Sequence, residues 1–233
     1  MRLPVTLCAT ILATAASANL ADDTYSLKWS PKEGDTATYT EEGTFSVNVG
    51  DATLKGKLVE KVIKVAPDGS YTVQFTPQDG TVTYQGTAVP TGRTITLTTY
   101  KADGEVLSVT GEHANAQSTR YANLSAFKRP DNPLKVGDSW NFEVKADPKN
   151  GVVAVQAIGH LVDAEKLGAA DALKVTLSSH ETDVTQPGSI DTTYWIDQHD
   201  GSLLQYQAKW NAVSFPGAQN PLSGTMSMEK VPN

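Results

Sequence analysis

An acidic turn that carries a histidine is the part of this sequence with the clearest potential to bind a metal. Asp197-Gln198-His199-Asp200-Gly201 brings two carboxylates and an imidazole together, and such a donor set can bind a divalent cation. The corresponding turn at Lys101–Glu105 has no histidine. None of the four histidines stands in a metal-ligand spacing such as H-x-H or H-E-x-x-H. We therefore interpret the turn as a polar hairpin loop and expect no metal ligands.

Catalytic groups are also difficult to assemble from the sequence. Two carboxylates on one strand face could serve as a glycosidase acid and base, and only Glu181 with Asp183 meets that condition, because the adjacent Glu41 and Glu42 point to opposite faces. No serine lies in a G-x-S-x-G elbow, and no glycine-rich segment has the lysine and helix of a phosphate loop. We expect no catalytic residues and no cofactor, and predict that the protein is not an enzyme. An enzyme of unrecognised type, using Glu181 and the acidic turn, stays as an alternative.

Aromatic side chains give the strongest non-catalytic hypothesis. A concave sheet lined by aromatic and aliphatic groups binds apolar molecules through the same burial of apolar surface that drives folding. The alternative is that these side chains form the core between sheet layers, and the sequence does not separate a filled core from an open cavity. The residues that we select as candidate ligand-binding residues are Trp140, Tyr194, Trp195 and Trp210.

Residues 1–18 have the features of a secretory signal peptide. Arg2 precedes an apolar run, and Ala16-Ser17-Ala18 matches an A-x-A cleavage site. The apolar run is too short to cross a bilayer, which takes about 20 helical residues. Cys8, the single cysteine, lies in this segment, so the mature chain would have no disulfide and no thiolate ligand. We predict export to the periplasm or to the cell exterior.

The charge balance restricts the class of partner. The chain has 19 basic and 26 acidic residues, for a formal net charge of −7. An acidic surface disfavours binding to nucleic acid or to anionic lipid surfaces. No segment after the signal peptide is long and apolar enough to span a membrane. The partner classes that remain are an apolar small molecule and a protein of the cell envelope.

Alternation of apolar and polar residues dominates the chain and predicts half-buried strands of antiparallel sheets. Tyr71–Thr76 and Leu173–Ser178 show it most clearly, and threonine fills the polar face of Thr94–Tyr100. Dipeptides that accept positive φ in tight hairpin turns separate such runs: Asp68-Gly69, Asp79-Gly80, Asp103-Gly104, Asn150-Gly151 and Asp200-Gly201. Only Ala114–Lys128 and Ala164–Leu173 suggest helix; both would be short, and loop is the alternative for either segment.

Two halves of the chain repeat each other in sequence. Lys32–Thr36 recurs as Lys135–Ser139, and Gly56–Glu60 recurs as Gly159–Asp163 at the same separation. Two further matches follow in the same order: Ser70–Val73 with Ala172–Val175, and Thr98–Tyr100 with Thr192–Tyr194. Four matches in one order indicate a duplicated unit.

The repeat defines the predicted domain organisation. After the signal peptide we place a first β repeat at residues 24–112, a linker at 113–133 and a second β repeat at 134–233. An isolated curved sheet leaves one apolar face and two edges open, so the two units should pack together or share one sheet. The predicted fold is all-β, with two tandem antiparallel curved-sheet repeats packed as a sandwich or half-barrel, and with at most short helices.

The second repeat resembles a group of bacterial exported proteins. Thr193–Asp197, Asp200–Tyr206 and Leu134–Trp140 are similar to strand and turn patterns in uncharacterised exported proteins, which group loosely with half-barrel carriers of the lipoprotein-localisation type. The resemblance implies a curved antiparallel sheet in the bacterial envelope with an apolar concave face. It implies no functional residue, because the motif residues look structural. The chain departs from such carriers in its scarcity of helix, which they use to plug the concave face.

The sequence as a whole predicts an exported, non-enzymatic β protein that binds an apolar ligand or a protein partner on a concave sheet. A structural or interaction module of the cell envelope is the main alternative, and it would show an exposed apolar patch or a free edge strand. An open interior in the folded protein would favour ligand binding.

Overall fold

The computed structural model describes residues 23–47 and 50–232, so the predicted signal peptide at residues 1–18 lies outside the described residues. The described chain contains one α-helix, α1 (Ala116–Leu124), and one turn of 3-10 helix at Pro148–Asn150. Its strands are β1 (Thr36–Val47), β2 (Gly50–Val65), β3 (Tyr71–Tyr84), β4 (Thr87–Pro90), β5 (Thr96–Tyr100), β6 (Val106–Gly111), β7 (Ser139–Val144), β8 (Val155–Leu167), β9 (Ala170–Glu181), β10 (Ser189–Asp197), β11 (Leu203–Val213) and β12 (Leu222–Lys230).

All twelve strands belong to one antiparallel sheet. The strand order is β6-β5-β3-β2-β1-β12-β11-β10-β9-β8-β7, and β4 pairs with β3 beside this path. The prediction of an all-β protein with a curved antiparallel sheet is confirmed. The described residues form one continuous sheet and not the two separate layers of a sandwich, because β12 pairs with both β1 and β11 and so joins the two halves of the chain.

Alternating residue types determine which side of each strand is buried. In β9, Leu173, Val175 and Leu177 are buried, whereas Lys174 and Thr176 between them are not fully covered. Aliphatic residues at every second position suit a pleated surface with one buried side. We call the side of the sheet that carries these buried side chains the inner face, and the opposite side the outer face.

Most of the predicted hairpin turns are present. Asp68-Gly69, Asp103-Gly104 and Asp200-Gly201 lie between paired strands, and each glycine has a positive φ. Asp79-Gly80 is not a hairpin turn: it lies inside β3, where two residues stand opposite the single residue Gly56 of β2. This is a β-bulge, and the φ of 50° at Asp79 belongs to it.

Of the two predicted helices, one is present and one is wrong. Asn115 caps α1, because its Oδ1 accepts a hydrogen bond from Ser118 N at 3.0 Å while Ser118 Oγ accepts one from Asn115 N at 3.3 Å. The other segment, Ala164–Leu173, is the end of β8 and the start of β9, and Gly168 with a φ of 60° lies in the turn between them. Neither described helix has the length and apolar character that a membrane span requires.

The two predicted repeats share details of hydrogen bonding. Asp35 Oδ2 accepts a hydrogen bond from Lys32 N at 2.7 Å, and Asp138 Oδ2 accepts one from Lys135 N at 2.8 Å. A register shift between β2 and β3 has a counterpart between β8 and β9, and one between β5 and β6 has a counterpart between β10 and β11. The register shifts between paired strands therefore occur at corresponding places in the two predicted repeats.

One of the sequence matches is out of register in the folded chain. Gly56 lies opposite Glu41, whereas Gly159 lies opposite Trp140. In the aligned turns Trp140 corresponds to Ala37, which lies opposite Glu60. The two glycines thus do not occupy equivalent positions, and the repeat and linker boundaries stay predictions.

The hydrophobic core cluster lies mainly on the inner face of the second half of the sheet, beneath the linker of residues 113–133, and it also includes Phe45 of β1. Leu124 of α1 is 1% exposed there. Trp140 Nε1 on edge strand β7 donates a hydrogen bond to Lys128 O at 3.0 Å, and Lys128 Nζ lies 2.6 Å from Glu105 Oε2, next to the other edge strand, β6. The linker therefore contacts the chain at both edges of the sheet. The buried strand residues beneath it include Val155, Leu161, Leu173, Val175, Leu177, Ile190, Ile196, Tyr206 and Val213.

Candidate functional site

The four candidate aromatic residues do not share one environment. Tyr194 and Trp210 point to the inner face and are only 6% and 3% exposed. Trp140 on β7 is half-buried and packs against the hydrophobic core that contains Tyr194 and Trp210. Trp195 follows Tyr194 directly on β10 and so points to the outer face. The structure therefore brings three of the four to one side of the sheet and leaves Trp195 apart.

Trp195 lies in a polar setting on the outer face. Its Nε1 donates a hydrogen bond to Glu165 Oε1 at 2.7 Å, and Lys174 Nζ lies 5.4 Å from the centroid of its ring. An ammonium over an indole face is a favourable cation–π contact. These contacts connect β10 with β9 and β8 and do not involve the other candidates.

The three inward-facing candidates are packed against the linker. The ring centroid of Phe127 lies 4.7 Å from that of Tyr194 and 6.1 Å from that of Trp140. The ring centroid of Tyr121 of α1 lies 5.4 Å from that of Trp210. The linker thus fills the inner face of the second half with its own aromatic side chains. One short helix and the loop after it are enough to cover this half.

The inner face of the first half is covered unevenly. Tyr39, Val62, Tyr71 and Val73 are buried there, whereas other apolar side chains on this face are only half-buried. The pairing puts Val82, Leu54, Gly43 and Met226 side by side across β3, β2, β1 and β12. Leu58 lies on the same face of β2, four residues along from Leu54. The half-buried apolar side chains on this face, which we call the inner patch, are Leu54, Leu58, Phe75, Val82, Met226 and Met228.

Two carboxylates stand among the residues of the inner patch. Glu60 lies beside Phe75 in the sheet, and Glu41 lies beside Met228. Burial raises the pKa of Glu60 from 4.5 to about 7, while the positive charge of Lys230 acts in the opposite direction. Burial also raises the pKa of Glu41. Carboxyl groups with raised pKa values inside a concave surface are typical of binding sites more than of solvated faces.

A buried guanidinium lies at one end of the inner face. Arg129 Cζ is 4.9 Å from the ring centroid of Phe127 and 5.7 Å from that of Trp29. Its Nε is buried and has no hydrogen-bond partner within the described chain. Burial lowers the pKa of Arg129, whereas the Tyr71 hydroxyl, which is hydrogen-bonded to the guanidinium, and the Tyr100 hydroxyl act in the opposite direction. A buried cation that is incompletely paired is costly, so Arg129 is a candidate binding residue.

The acidic turn at residues 197–201 uses its carboxylates to hold its own backbone. Asp197 Oδ1 accepts a hydrogen bond from His199 N at 2.8 Å, and Asp200 Oδ1 accepts one from Ser202 N at 2.7 Å. The turn is a polar hairpin loop. In residues 23–47 and 50–232 no group of three or more His, Cys, Asp or Glu side chains is arranged to hold a metal ion.

The outer face carries a shallow polar groove of about 500 Å³ that crosses β2, β1, β12, β11 and β10. Threonines and charged side chains dominate its lining, among them Thr44, Thr193 and Lys209. Lys55 and Glu42 form an ion pair of 3.0 Å within it, with 71% and 64% of their side chains exposed. Such a well-solvated lining offers little apolar surface to a ligand.

The inner patch, Glu60 and Arg129 were not among the residues selected from the sequence. One available signal was glutamate at inward positions of β1 and β2, where the alternation leads one to expect apolar side chains. Arg129 stands in a proline-containing linker and gives no periodic signal at all.

Comparison with known proteins adds little to this description. No family model matches the chain, and no curated protein matches it. Among solved structures, a protein of Bacteroides fragilis described as exported and as having a YmcC-like fold is similar to it. The two are 12% identical, the match covers 89% of this chain and 100% of that chain, and the TM-score is 0.37. At this TM-score the likeness supports no statement about function, and the resemblance to lipoprotein carriers stays a prediction.

Proposed function

We propose that this protein is an exported, non-enzymatic binding protein that takes up an apolar ligand on the inner patch. The observation that carries the proposal is that the side chains of the inner patch are only half-buried, whereas the linker covers the inner face of the second half and Tyr39, Val62 and Val73 beside the patch are buried. An apolar chain that covers the patch removes its side chains from water, which stabilises a complex by about 25 cal/mol per Å². Met226 and Met228 suit such a surface, because thioether side chains adapt to ligand shape.

The same geometry favours binding over catalysis. An acid and a base must both lie within hydrogen-bonding reach of one reacting group. Glu60 lies beside Ala37 of β1, and Glu41 lies four residues further along that strand, about 13 Å away at 3.3 Å per residue. Glu181 is occupied by an ion pair with Arg120. Glu41, Glu60 and Glu181 are therefore not placed to act together as an acid and a base.

Export rests on the amino-acid sequence of residues 1–18. Intact-mass measurement of the protein isolated from its own host should give a chain that starts directly after Ala18. A mass that includes the first eighteen residues would contradict export by signal cleavage.

Ligand capture tests the binding function. Native mass spectrometry of protein from its own host should show an additional small apolar mass, and the neutral dye N-phenyl-1-naphthylamine should bind with a rise in fluorescence. Leu58→Asp places a charge in the inner patch and should abolish dye binding. Val59→Asp, next to it on the opposite face of β2, is the matched control and should leave dye binding intact. An empty mass together with no dye binding would overturn the proposal.

A second candidate function is that of an envelope interaction module, favoured by the open edge beyond β3. The edge strand β6 carries Leu107 with 50% exposure, and Val89 on β4 and Ile95 before β5 are 57% and 42% exposed. An extended segment of a partner protein could add to such an edge through backbone hydrogen bonds. Leu107→Lys should then weaken capture of that partner, since a charge on an edge strand opposes pairing. Equal capture by both forms would exclude this edge.

A further inference from the structure

We infer that the ligand of the inner patch is an anionic amphiphile, whose oxyanion binds the Arg129 guanidinium while its apolar chain covers Leu58 and Phe75. The inference rests on the proposed function and adds the chemical class of the ligand. Carboxylate, phosphate and sulfonate head groups all present oxygen pairs that match the parallel N–H donors of a guanidinium.

Arg129 is held firmly but is not neutralised by a carboxylate. Its backbone N–H donates to Asp103 O at 2.7 Å, and its guanidinium lies near the Trp29 and Phe127 rings. The acidic side chains of this region pair with Lys128 instead, Asp103 at 3.4 Å and Glu105 at 2.6 Å. Across residues 23–47 and 50–232 no carboxylate forms an ion pair with Arg129, and its Nε stays without a hydrogen bond. The guanidinium has the neutral Tyr71 hydroxyl as a hydrogen-bond partner, and an incoming oxyanion would supply the negatively charged partner that it lacks.

Two tyrosines connect Arg129 with the inner patch. The rings of Tyr71 and Tyr100 stack with centroids 5.3 Å apart. Trp29, whose ring centroid lies 5.7 Å from Arg129 Cζ, contacts Tyr71 edge-on with ring centroids 5.1 Å apart, and Tyr71 lies on the same face of β3 as Phe75, four residues along. Glu60 in turn lies beside Phe75 of the patch. A ligand with its head group on Arg129 can therefore extend its chain along the inner patch.

The carboxyl groups near the inner patch do not reverse the preference for an anionic head group. The pKa of Glu60 is about 7, so that this group is close to half protonated at neutral pH, and Lys230 faces it. The pKa of Glu41 is also raised. Arg129 keeps its charge throughout this range, because a guanidinium does not lose its proton in proteins. The site thus combines the positive charges of Arg129 and Lys230 with two carboxyl groups whose pKa values burial raises.

The head-group preference can be measured directly with the full protein. Dodecanoate, dodecanol and dodecyltrimethylammonium share one chain length and differ in charge, and each can compete with bound N-phenyl-1-naphthylamine at pH 7. We expect dodecanoate to bind about ten- to a hundredfold more tightly than dodecanol, the usual gain from a charge-assisted hydrogen bond. The cation should bind most weakly. Arg129→Met keeps an apolar stem and should lower the affinity for dodecanoate to that for dodecanol. Lys209→Met on the outer face is the matched control and should change neither affinity.

The outcomes distinguish the inference from the function on which it rests. Dodecanol that binds as tightly as dodecanoate would overturn the inference and leave the proposed function standing. No binding of any of the three amphiphiles would overturn the proposed function, and the inference with it. Acetate that competes as well as dodecanoate would indicate a site for a free anion and would exclude the amphiphile. If Arg129→Met fails to fold, the order in which the natural protein binds the three amphiphiles still tests the inference.

Discussion

The guanidinium of Arg120 binds the carboxylate of Glu181 through two parallel hydrogen bonds, with Nη2 2.6 Å from Oε2 and Nε bonded to Oε1. The Glu181 side chain is fully buried at 0% exposure, and that of Arg120 is 24% exposed. The backbone N–H of Gly188 donates a further hydrogen bond to Oε2 at 2.6 Å. This pair attaches α1 to the end of β9 and so holds the linker over the inner face.

Removal of one partner from this pair should destabilise the protein strongly. Arg120→Met leaves the buried Glu181 carboxylate with the Gly188 N–H alone, and we expect a loss of about 3–5 kcal/mol in the free energy of unfolding. Urea unfolding followed by tryptophan fluorescence measures the loss. Lys55→Met breaks the exposed pair with Glu42 and should cost about 0–1 kcal/mol. Equal losses in the two variants would show that the buried pair does not anchor α1.

The candidate tryptophans should differ in their contribution to stability and to ligand binding. Trp210 is 3% exposed and packs against Tyr121, so Trp210→Ala should lower the free energy of unfolding by about 3–5 kcal/mol. Trp195 lies on the outer face, and Trp195→Ala should cost clearly less and leave dye binding unchanged. Urea unfolding and dye titration of both variants provide the measurements. Loss of dye binding in the folded Trp195→Ala variant would place the site on the outer face instead.

Strands and most turns were predictable from the sequence. Both depend on neighbouring residues, since alternating apolar and polar residues favour strands and dipeptides that accept positive φ favour tight turns. Ala164–Leu173 suggests a helix because alanine, glutamate, lysine and leucine are strong helix formers. In the folded chain it forms the β8–β9 hairpin, where pairing along two long strands outweighs the local preference. Asp79-Gly80 was misplaced for a related reason, because bulges and hairpin turns favour the same residues.

The candidate site was predictable only in part. The abundance of aromatic residues indicated an inner face that includes Tyr194 and Trp210, but it did not indicate which half of that face is covered. That depends on the path of the linker, and Phe127 reaches Tyr194 through a long-range contact that no local pattern encodes. Trp195 could have been separated from Tyr194 at the outset, because neighbours on a strand point to opposite faces.

The indole of Trp140 lies directly over Gly159 on the neighbouring strand, and a Cβ at Gly159 would overlap the ring. Gly159→Ala should therefore displace the ring and lower the free energy of unfolding by about 1–3 kcal/mol. The displaced indole should also lose its hydrogen bond to Lys128 O, which faster solvent exchange of the Trp140 Nε1 hydrogen, followed by NMR, would report. Gly92→Ala is the control, because its nearest neighbour would be Thr94 Oγ1 at 3.8 Å and no cost is expected. An unchanged Gly159→Ala protein would contradict this packing.

The raised pKa of Glu60 has a defined effect on the pH dependence of stability. Below pH 4.5 the carboxyl group is protonated in both the folded and the unfolded chain, so it contributes no difference between them. As the pH rises, the unfolded chain releases this proton near 4.5, whereas the folded chain keeps it until about 7. The unfolded chain is then favoured, and the stability contributed by Glu60 falls across that window by at most about 3 kcal/mol.

Glu60→Gln isolates this effect from the other titrating groups. The glutamine has no proton to release, so the variant should gain stability over the natural protein as the pH rises from 4 to 8, from no difference to at most about 3 kcal/mol. Urea unfolding of both proteins at each pH gives the difference. Glu42→Gln, on the outer face, should show no such gain, because that carboxylate is exposed. A difference for Glu60→Gln that is constant across the range would mean that Glu60 titrates as an exposed carboxylate and is not buried in the folded chain.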